Sequence, residues 1–414
     1  MTNVLITGMG AISPLGADRR QSFAAALAGR CAIGRAAPDI AQWLPQVLTA
    51  PAAAEPSSLL DPRCAGLDRA TQFALVAANE ALCDAGIAAH PDDARRIGVY
   101  VGIGFGGAQT VDALYARLQQ TLRDNGNPAV MHPLSVPRMM ANAAAAAVSM
   151  QYGLHGPSYT YSVACASSAV AIGEAFRAIR DGYLDAAVVI GAEAMLTPGA
   201  MLAWNALRVM AKPDADDVSR SCRPFAKGRS GFVLGEGAAA IVLESETRAR
   251  SRAQAALGEV CGYGCSSDAS HLTAPSSEEQ VTAMRQALAQ AGLEPGDIQY
   301  LNAHGTATEA GDVVETASIR AAFGAAAERL AVSSTKSMHG HLIGASGILE
   351  FVLSVMAMNA GALPPTATLD EPDPRCDLDF VPRTARHDCE VSAIMSNSFA
   401  FGGSNVSLVA RRHD

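Results

Sequence analysis

Lysine is almost missing from this chain. Of 31 basic residues only Lys212, Lys227 and Lys336 are lysines; the rest are arginines. Aromatic residues make up 5% and charged residues 17% of the 414. No apolar stretch approaches the roughly 20 residues of a membrane span. Met1-Thr2-Asn3 and the VLITGMG that follows have neither a basic region nor a long apolar core, so no signal peptide is expected. The net charge of −9 argues against general binding to nucleic acid or a membrane surface, and leaves only a local basic patch for an acidic partner. Nine cysteines, an odd number without dense spacing, exclude a disulfide scaffold and read as reduced thiols in a cytoplasmic protein. Cys261 and Cys265 are the closest pair, but no second pair lies at zinc spacing, so no metal is expected.

What is present is apolar and glycine-rich. With 49% hydrophobic residues and 37 glycines the chain is too apolar for disorder, and its length favours two domains or one duplicated unit. Strand-length apolar runs alternate with helical patterns, the mark of an α/β protein. Strands are expected at 4–7, 97–101, 159–163, 186–190 and 239–243, then at 298–302, 330–333, 391–395 and 406–409. Asp68 is placed to cap a helix that Gly86 ends. Residues 138–152, rich in Ala and Met, read as one buried helix, and the Pro-rich stretches 45–62 and 364–382 as surface connections. The charged run 244–252 is placed to join two halves, 1–250 and 251–414.

The halves repeat an order of features. In the first, strands lead into GIGFGG (102–107), VACASSAVAIG (163–173) and VVIGAEA (188–194); in the second, into NAHGTAT (302–308), STKSMHGHLIGASG (334–347) and SNSFAFGGSN (396–405). This reads as an old duplication with chemical residues at matching strand ends, where ligands of open α/β sheets bind. Gly102-x-Gly104-x-x-Gly107 matches a dinucleotide fingerprint, but a helical pattern and the polar loop 124–128 follow it instead of a second strand with its acidic end, so close backbone packing or a substrate channel is the favoured use.

Cys165 stands where a strand hands over to a helix. Unpaired N–H groups and the helix dipole there favour a nucleophilic thiolate; the alternative is a buried small hydrophobe. His304, His341 and Lys336 lie near strand ends that can face it. Each histidine alone is more often a structural hydrogen-bonding residue than a catalyst, yet together they offer imidazole donors and a cation to negative charge forming on a thioester oxygen. Phe399-Ala400-Phe401-Gly402-Gly403 reads equally as a gate or as a packed turn.

VACAS, NAHGTAT, STKSMHGH and NSFAFGGSN, in this order, together with ITGMGAISPLG (6–16), VPRMMAN (136–142) and CRPFAKGRSGFVLGEGAA (222–239), resemble the β-ketoacyl-acyl carrier protein synthases, especially the elongating type II group. The resemblance implies a thiolase-like fold: duplicated βαβαβαββ halves in a five-layered αβαβα arrangement, as a homodimer without cofactor. It implies that Cys165 accepts the acyl group, that His304 and His341 drive malonyl decarboxylation with Lys336 in electrostatic support, and that the N–H groups of Cys165 and Phe401 form the oxyanion hole. Thr306 and Thr308 match pantetheine-contacting threonines, Phe399 and Phe401 the gating aromatics, and Asp312 and Glu315 structural supports. Thr110 and Trp204 match acyl-pocket positions, and Arg63, Arg69 and Arg208 are candidates for docking an acidic acyl carrier protein.

Several positions depart from the family pattern. Ala400 replaces a glycine of the gate, His339 makes MTGH into MHGH, and Glu309 turns GTSTP into GTATE. Thr110 replaces a bulky aliphatic residue, Trp204 a phenylalanine, and Asn127-Pro128-Ala129-Val130 lacks the family's basic residues. The catalytic set is spared, so these changes bear on the acyl chain and the carrier footprint, as in a specialised or second-copy synthase. A nucleophile-free chain-length partner is the nearest rival, and Cys165 speaks against it.

Overall fold

The computed structural model describes residues 2–124, 126–127 and 132–413. Its main feature is a ten-stranded sheet built twice from one plan. The first half contributes β1 (Val4–Ile12), β2 (Ile97–Gly102), β3 (Ser158–Tyr161), β4 (Ala186–Glu193) and β5 (Gly237–Ser245). The second contributes β6 (Gly258–Ser267), β7 (Tyr300–Asn302), β8 (Ala331–Ser333), β9 (Ala393–Ala400) and β10 (Ser404–Arg411). The spatial order is β8-β7-β9-β10-β6-β1-β5-β4-β2-β3. Each half therefore runs first, fifth, fourth, second, third outward from the seam. In both, the first three are antiparallel neighbours and the outer pairs are parallel. The seam is the antiparallel pairing of β1 with β6.

Helices complete each βαβαβαββ half. They are α1 (Arg69–Asp84), α2 (Ala108–Arg123), α3 (Ala143–Tyr152), α4 (Ser167–Arg180) and α5 (Pro198–Ala206), then α6 (Ser277–Ala291), α7 (Glu309–Phe323) and α8 (Ser346–Ala360). α4 and α8 pack together between the two half-sheets, α1 and α3 cover the outside of one, and α6 and α7 the outside of the other. Five layers result, as the resemblance implies. Strands covered on both sides bury every residue yet still sort by period two. In β5, Ala238, Ala240 and Val242 join the outer core, while Ala239, Ile241 and Leu243 join the central one.

Glycine sets the closeness of the outer layers. A Cβ on Gly8 or Gly10 of β1 would lie 2.1 and 2.3 Å from the carbonyls of Ala81 and Ala77 on α1. On Gly262 or Gly264 of β6 it would lie 2.2 and 1.9 Å from those of Ala287 and Ala283 on α6. The two halves thus repeat a glycine strand against an alanine helix. β6 is also the strand that periodicity misses, because its glycines and serines carry turn-like signals.

Three expectations are corrected. Residues 138–152 are not one helix: a separate short helix, Ser135–Met139, ends before Met140, and α3 begins at Ala143. The stretch 364–382 is no mere surface connection, since Thr366, Thr368, Leu369 and Phe380 are buried against the core and the Ser334 backbone. Likewise 45–62 contains a short buried strand, Leu48–Ala50. Ile343–Ala360, the central helix α8 with the turn before it, is long and apolar enough to meet the length and composition of a membrane span, and 83% of it is buried inside the protein. The expected helix 68–85 forms with Asp68 accepting from Ala70 N–H, and the pattern after Gly107 forms α2; residues 125 and 128–131, including Pro128–Val130, lie outside the described residues.

Candidate active site

Cys165 sits on a tight turn (Ala164–Ala166) between β3 and α4, and its counterpart across the duplication is the turn Ile343–Ala345 before α8. Both turns hold a side-chain-bearing residue in the left-handed region, Ala164 at φ 45° and Ile343 at φ 44°. A β-branched residue there is strained, and the surrounding packing must sustain it. At Ile343 the strain points a backbone N–H at His341 Nδ1, 3.3 Å away.

That contact decides the tautomer of His341. Ser346 Oγ accepts from Leu342 N–H at 2.9 Å, so its proton is free for His341 Nδ1, 2.7 Å away. With two donors on Nδ1, the ring proton belongs on Nε2, which lies 3.1 Å from Cys165 Sγ. Phe232 stands edge-on to the same ring at 5.3 Å between centroids. His304, at the end of β7, is 5.5 Å from His341 by ring centroids and nearly perpendicular to it. Its backbone N–H and that of Gly305 donate to the buried Glu315 carboxylate at 2.8 and 2.7 Å. Reactive atoms of Cys165, His304 and His341 all fall within 4.8 Å of one another.

Burial and one cation set the charge states. Lys336 is fully buried with Nζ 2.6 Å from Glu350 Oε1 on α8. Burial first, and the Lys336 charge second, push both His304 and His341 well below the ordinary imidazole range, so both are neutral donors. Burial pushes the Cys165 thiol up to about 12, against the pull of Lys336 and of the backbone N–H groups of Phe401 and Cys165. Burial thus works against the thiolate expected from the helix terminus, while Lys336 and these N–H groups work for it. The same two N–H groups are the pair expected to form the oxyanion hole.

A cavity of about 230 Å³ leads from Cys165, His304 and His341 past Thr306, Thr308, Phe399 and Phe401 to the loop 268–275. Thr306 and Thr308 hydroxyls are 3.1 Å apart at its edge. Phe401 stacks on Trp204 (6.3 Å, 26°), which meets Phe232 edge-on. Trp204 thus backs the cavity wall without lining it. Ala400 occupies ordinary φ, while Gly402 and Gly403 take φ 87° and 81°, so the turn that needs glycine keeps it.

Other expected site residues lie elsewhere. Thr110 does not reach the cavity; its N–H and hydroxyl bind Asp68 at the start of α1. Arg69 is not a free docking residue, being largely buried between Glu236 and Glu55. Arg63 is exposed but paired with Asp61. Arg208 is exposed and has no ion-pair partner among the described residues; with Lys212 it lines a groove of about 1060 Å³ that reaches Thr308. Asp312 accepts from Phe225 N–H at 2.7 Å beside buried Arg229, a supporting position. The fingerprint-like glycines 102–107 serve close packing: a Cβ on Gly102 would lie 2.3 Å from the Ser168 backbone. Sequence reasoning passed over Ser346, Phe232 and Glu350. Glu350 had a signal, as the one charged residue in the apolar run 343–360.

Residues 1–249 match the family model for the β-ketoacyl synthase N-terminal domain, and 257–370 that for its C-terminal domain. The chain belongs to the β-ketoacyl synthase family. It is 40% identical over 419 residues to a 3-oxoacyl-[acyl-carrier-protein] synthase 2 of Staphylococcus aureus (strain COL), covering 99% of this chain and 98% of that one. It is 41% identical over 410 residues to nodulation protein E of Rhizobium meliloti (strain 1021), covering 99% of each. A type II polyketide ketosynthase, solved in complex with its acyl-carrier protein and bound to the hexaketide, superposes with a TM-score of 0.91 at 26% identity over all of both chains. The thiolase-like fold and the condensing, acyl-transferring class follow for this β-ketoacyl synthase.

Proposed function

We propose that this β-ketoacyl synthase is a 3-oxoacyl-acyl carrier protein synthase. It loads an acyl group onto Cys165 and condenses it with malonyl-acyl carrier protein, extending a fatty acid or polyketide chain by two carbons. The observation that carries this reading is the convergence of Cys165, two neutral histidines and a buried lysine at the base of one cavity. Cys165 Sγ attacks the acyl-thioester carbonyl, whose oxygen meets the N–H groups of Cys165 and Phe401; the bond to the carrier sulfur breaks, and the thiol proton ends on the departing carrier thiol. Malonyl-thioester then enters. Its C–C bond to the carboxylate breaks, CO2 leaves, and the electron pair spreads onto the thioester oxygen between imidazole N–H donors of His304 and His341. The carbanion attacks the acyl-enzyme carbonyl, the carbon–sulfur bond breaks, and Cys165 leaves as thiolate and takes one proton from solvent. No redox partner is needed for the balance.

Thr306 and Thr308 are placed to bind pantetheine, Phe399 and Phe401 to gate its entry, and Trp204 to shape the acyl side through Phe401. Arg208 is the docking candidate that survives, with Arg63 needing to release Asp61. The proposal includes a homodimer, a cytoplasmic location, and division into halves at 250/251. The test is mass spectrometry of Cys165 after exposure to a panel of acyl carriers. One acyl mass on the peptide bearing Cys165 is expected, absent in Cys165→Ala; an unmodified Cys165 across the panel contradicts the reading.

A further inference from the structure

One buried carboxylate outside the reactive set holds the turn that serves His341. Glu193 ends β4, is fully buried, and has no ion-pair partner among the described residues. Its Oε2 accepts from Gly104 N–H at 2.8 Å and from Gly344 N–H at 3.0 Å, and its Oε1 from Phe105 N–H at 3.2 Å. Gly104 belongs to the first half of the chain, and Gly344 to the second, directly after the strained Ile343. The halves meet here at backbone contact. A Cβ on Gly344 would lie 2.3 Å from Gly104 N and 2.8 Å from Glu193 Oε2, and one on Gly104 2.6 Å from the same oxygen. Burial pushes the carboxyl up to about 8 against its three N–H donors. Without an anchor, Ile343 at φ 44° relaxes toward negative φ, and its N–H leaves His341 Nδ1, 3.3 Å away.

We propose that Glu193 is a positioning residue of the condensing reaction: by holding Gly344 N–H it sustains the left-handed Ile343 and so keeps a second donor on His341 Nδ1. The ring proton then stays on Nε2, facing the reacting centre. Glu193 itself touches no reacting atom. Acceptance of N–H groups, and not charge, is the property used. Glutamine can offer its one oxygen to Gly104 and Gly344 and turn its NH2 toward Phe105. Aspartate keeps the charge but, one methylene shorter, lacks the reach to bridge the two halves.

The claim about the ring rests on the geometry alone, and only its effect on turnover rests on the condensing reading. The test pairs 15N-histidine spectra of the full-length protein, which separate the neutral tautomers without turnover, with CO2 release and adduct mass. The His341 signal is assigned by its loss in His341→Ala. Wild type and Glu193→Gln are expected to hold the Nε2–H tautomer. Glu193→Asp is expected to show the Nδ1–H form and to lose about ten- to a hundredfold in CO2 release, the scale of a misplaced group, while still loading Cys165. Glycine takes φ 44° without strain, so in an Ile343→Gly background Glu193→Asp should cost less than about threefold relative to Ile343→Gly alone. That pair carries the test if Glu193→Asp alone does not fold. An Nδ1–H ring in the wild type, a wild-type tautomer in folded Glu193→Asp, or a loss of about tenfold or more in Glu193→Gln or in the Ile343→Gly background overturns the proposal. A wild type that holds the Nε2–H ring yet neither loads acyl groups nor releases CO2 strikes the proposed function and leaves the role of Glu193 toward His341 standing on its tautomer.

Discussion

Proton placement on the His341 ring is the finding at the scale of the residue. Ser346 and the strained Ile343 both spend a donor on His341 Nδ1, which leaves Nε2–H aimed at the reacting centre. Ser346→Ala removes one of those donors and permits the unproductive tautomer. The expected outcome is a decarboxylation rate lowered by about ten- to a hundredfold with the acyl loading of Cys165 retained, read by CO2 release against adduct mass; losing one oxyanion donor elsewhere costs about 10²–10³. His304→Ala removes a donor outright and should lose about 10²–10³ in CO2 release while still accepting an acyl group. Unchanged CO2 release from His304→Ala removes it from the mechanism. The four proposed catalytic residues were legible because their motifs carry them. Their electrostatic setting was not, since burial, which only the fold supplies, opposes the expected thiolate and pushes both imidazoles down.

Among the elements, two glycine strands pressed onto two alanine helices explain both a success and a miss. The success is the repeated order of strand-end motifs, which revealed the duplication. The miss is β6, whose GEVCGYGCSS looks like turn material because Gly262 and Gly264 serve the carbonyls of α6. Gly264→Val must push α6 outward. Overpacking of this kind costs about 1–3 kcal/mol, expected as a lower urea midpoint without change in slope; a midpoint equal to wild type contradicts the packing account. The break at 140–142 was likewise invisible to composition, because alanine and methionine suit helix on both sides of it.

The whole molecule carries an acid-side liability in its centre. Burial and Lys336 hold His339 down to about 3 from 6.5, and its Nε2 pairs with Thr335 Oγ1 at 3.0 Å. A depressed pKa contributes stability that is present above 6.5 and lost as pH falls toward 3. Between pH 7.5 and 5 this amounts to about 2 kcal/mol for one such group. His339→Thr, which restores the family residue, should flatten the fall in Tm over that range without abolishing it, because His304 and His341 are depressed in the same sense. A pH slope equal to wild type contradicts the assignment. Lysine scarcity also resolves at this scale. Lys336 is buried against Glu350, Lys227 pairs with Glu371 on the surface, and Lys212 joins Arg208 in the groove outside Thr308.

The most direct test of the central claim is a single assay with carboxyl-labelled malonyl-acyl carrier protein and an acyl carrier matched to the Cys165 adduct. The account predicts one labelled CO2 for each 3-oxoacyl product two carbons longer than the primer, with no 3-oxoacyl product formed by Cys165→Ala. Labelled CO2 without condensed product from the wild type, or product formed while Cys165 stays unacylated, would contradict it.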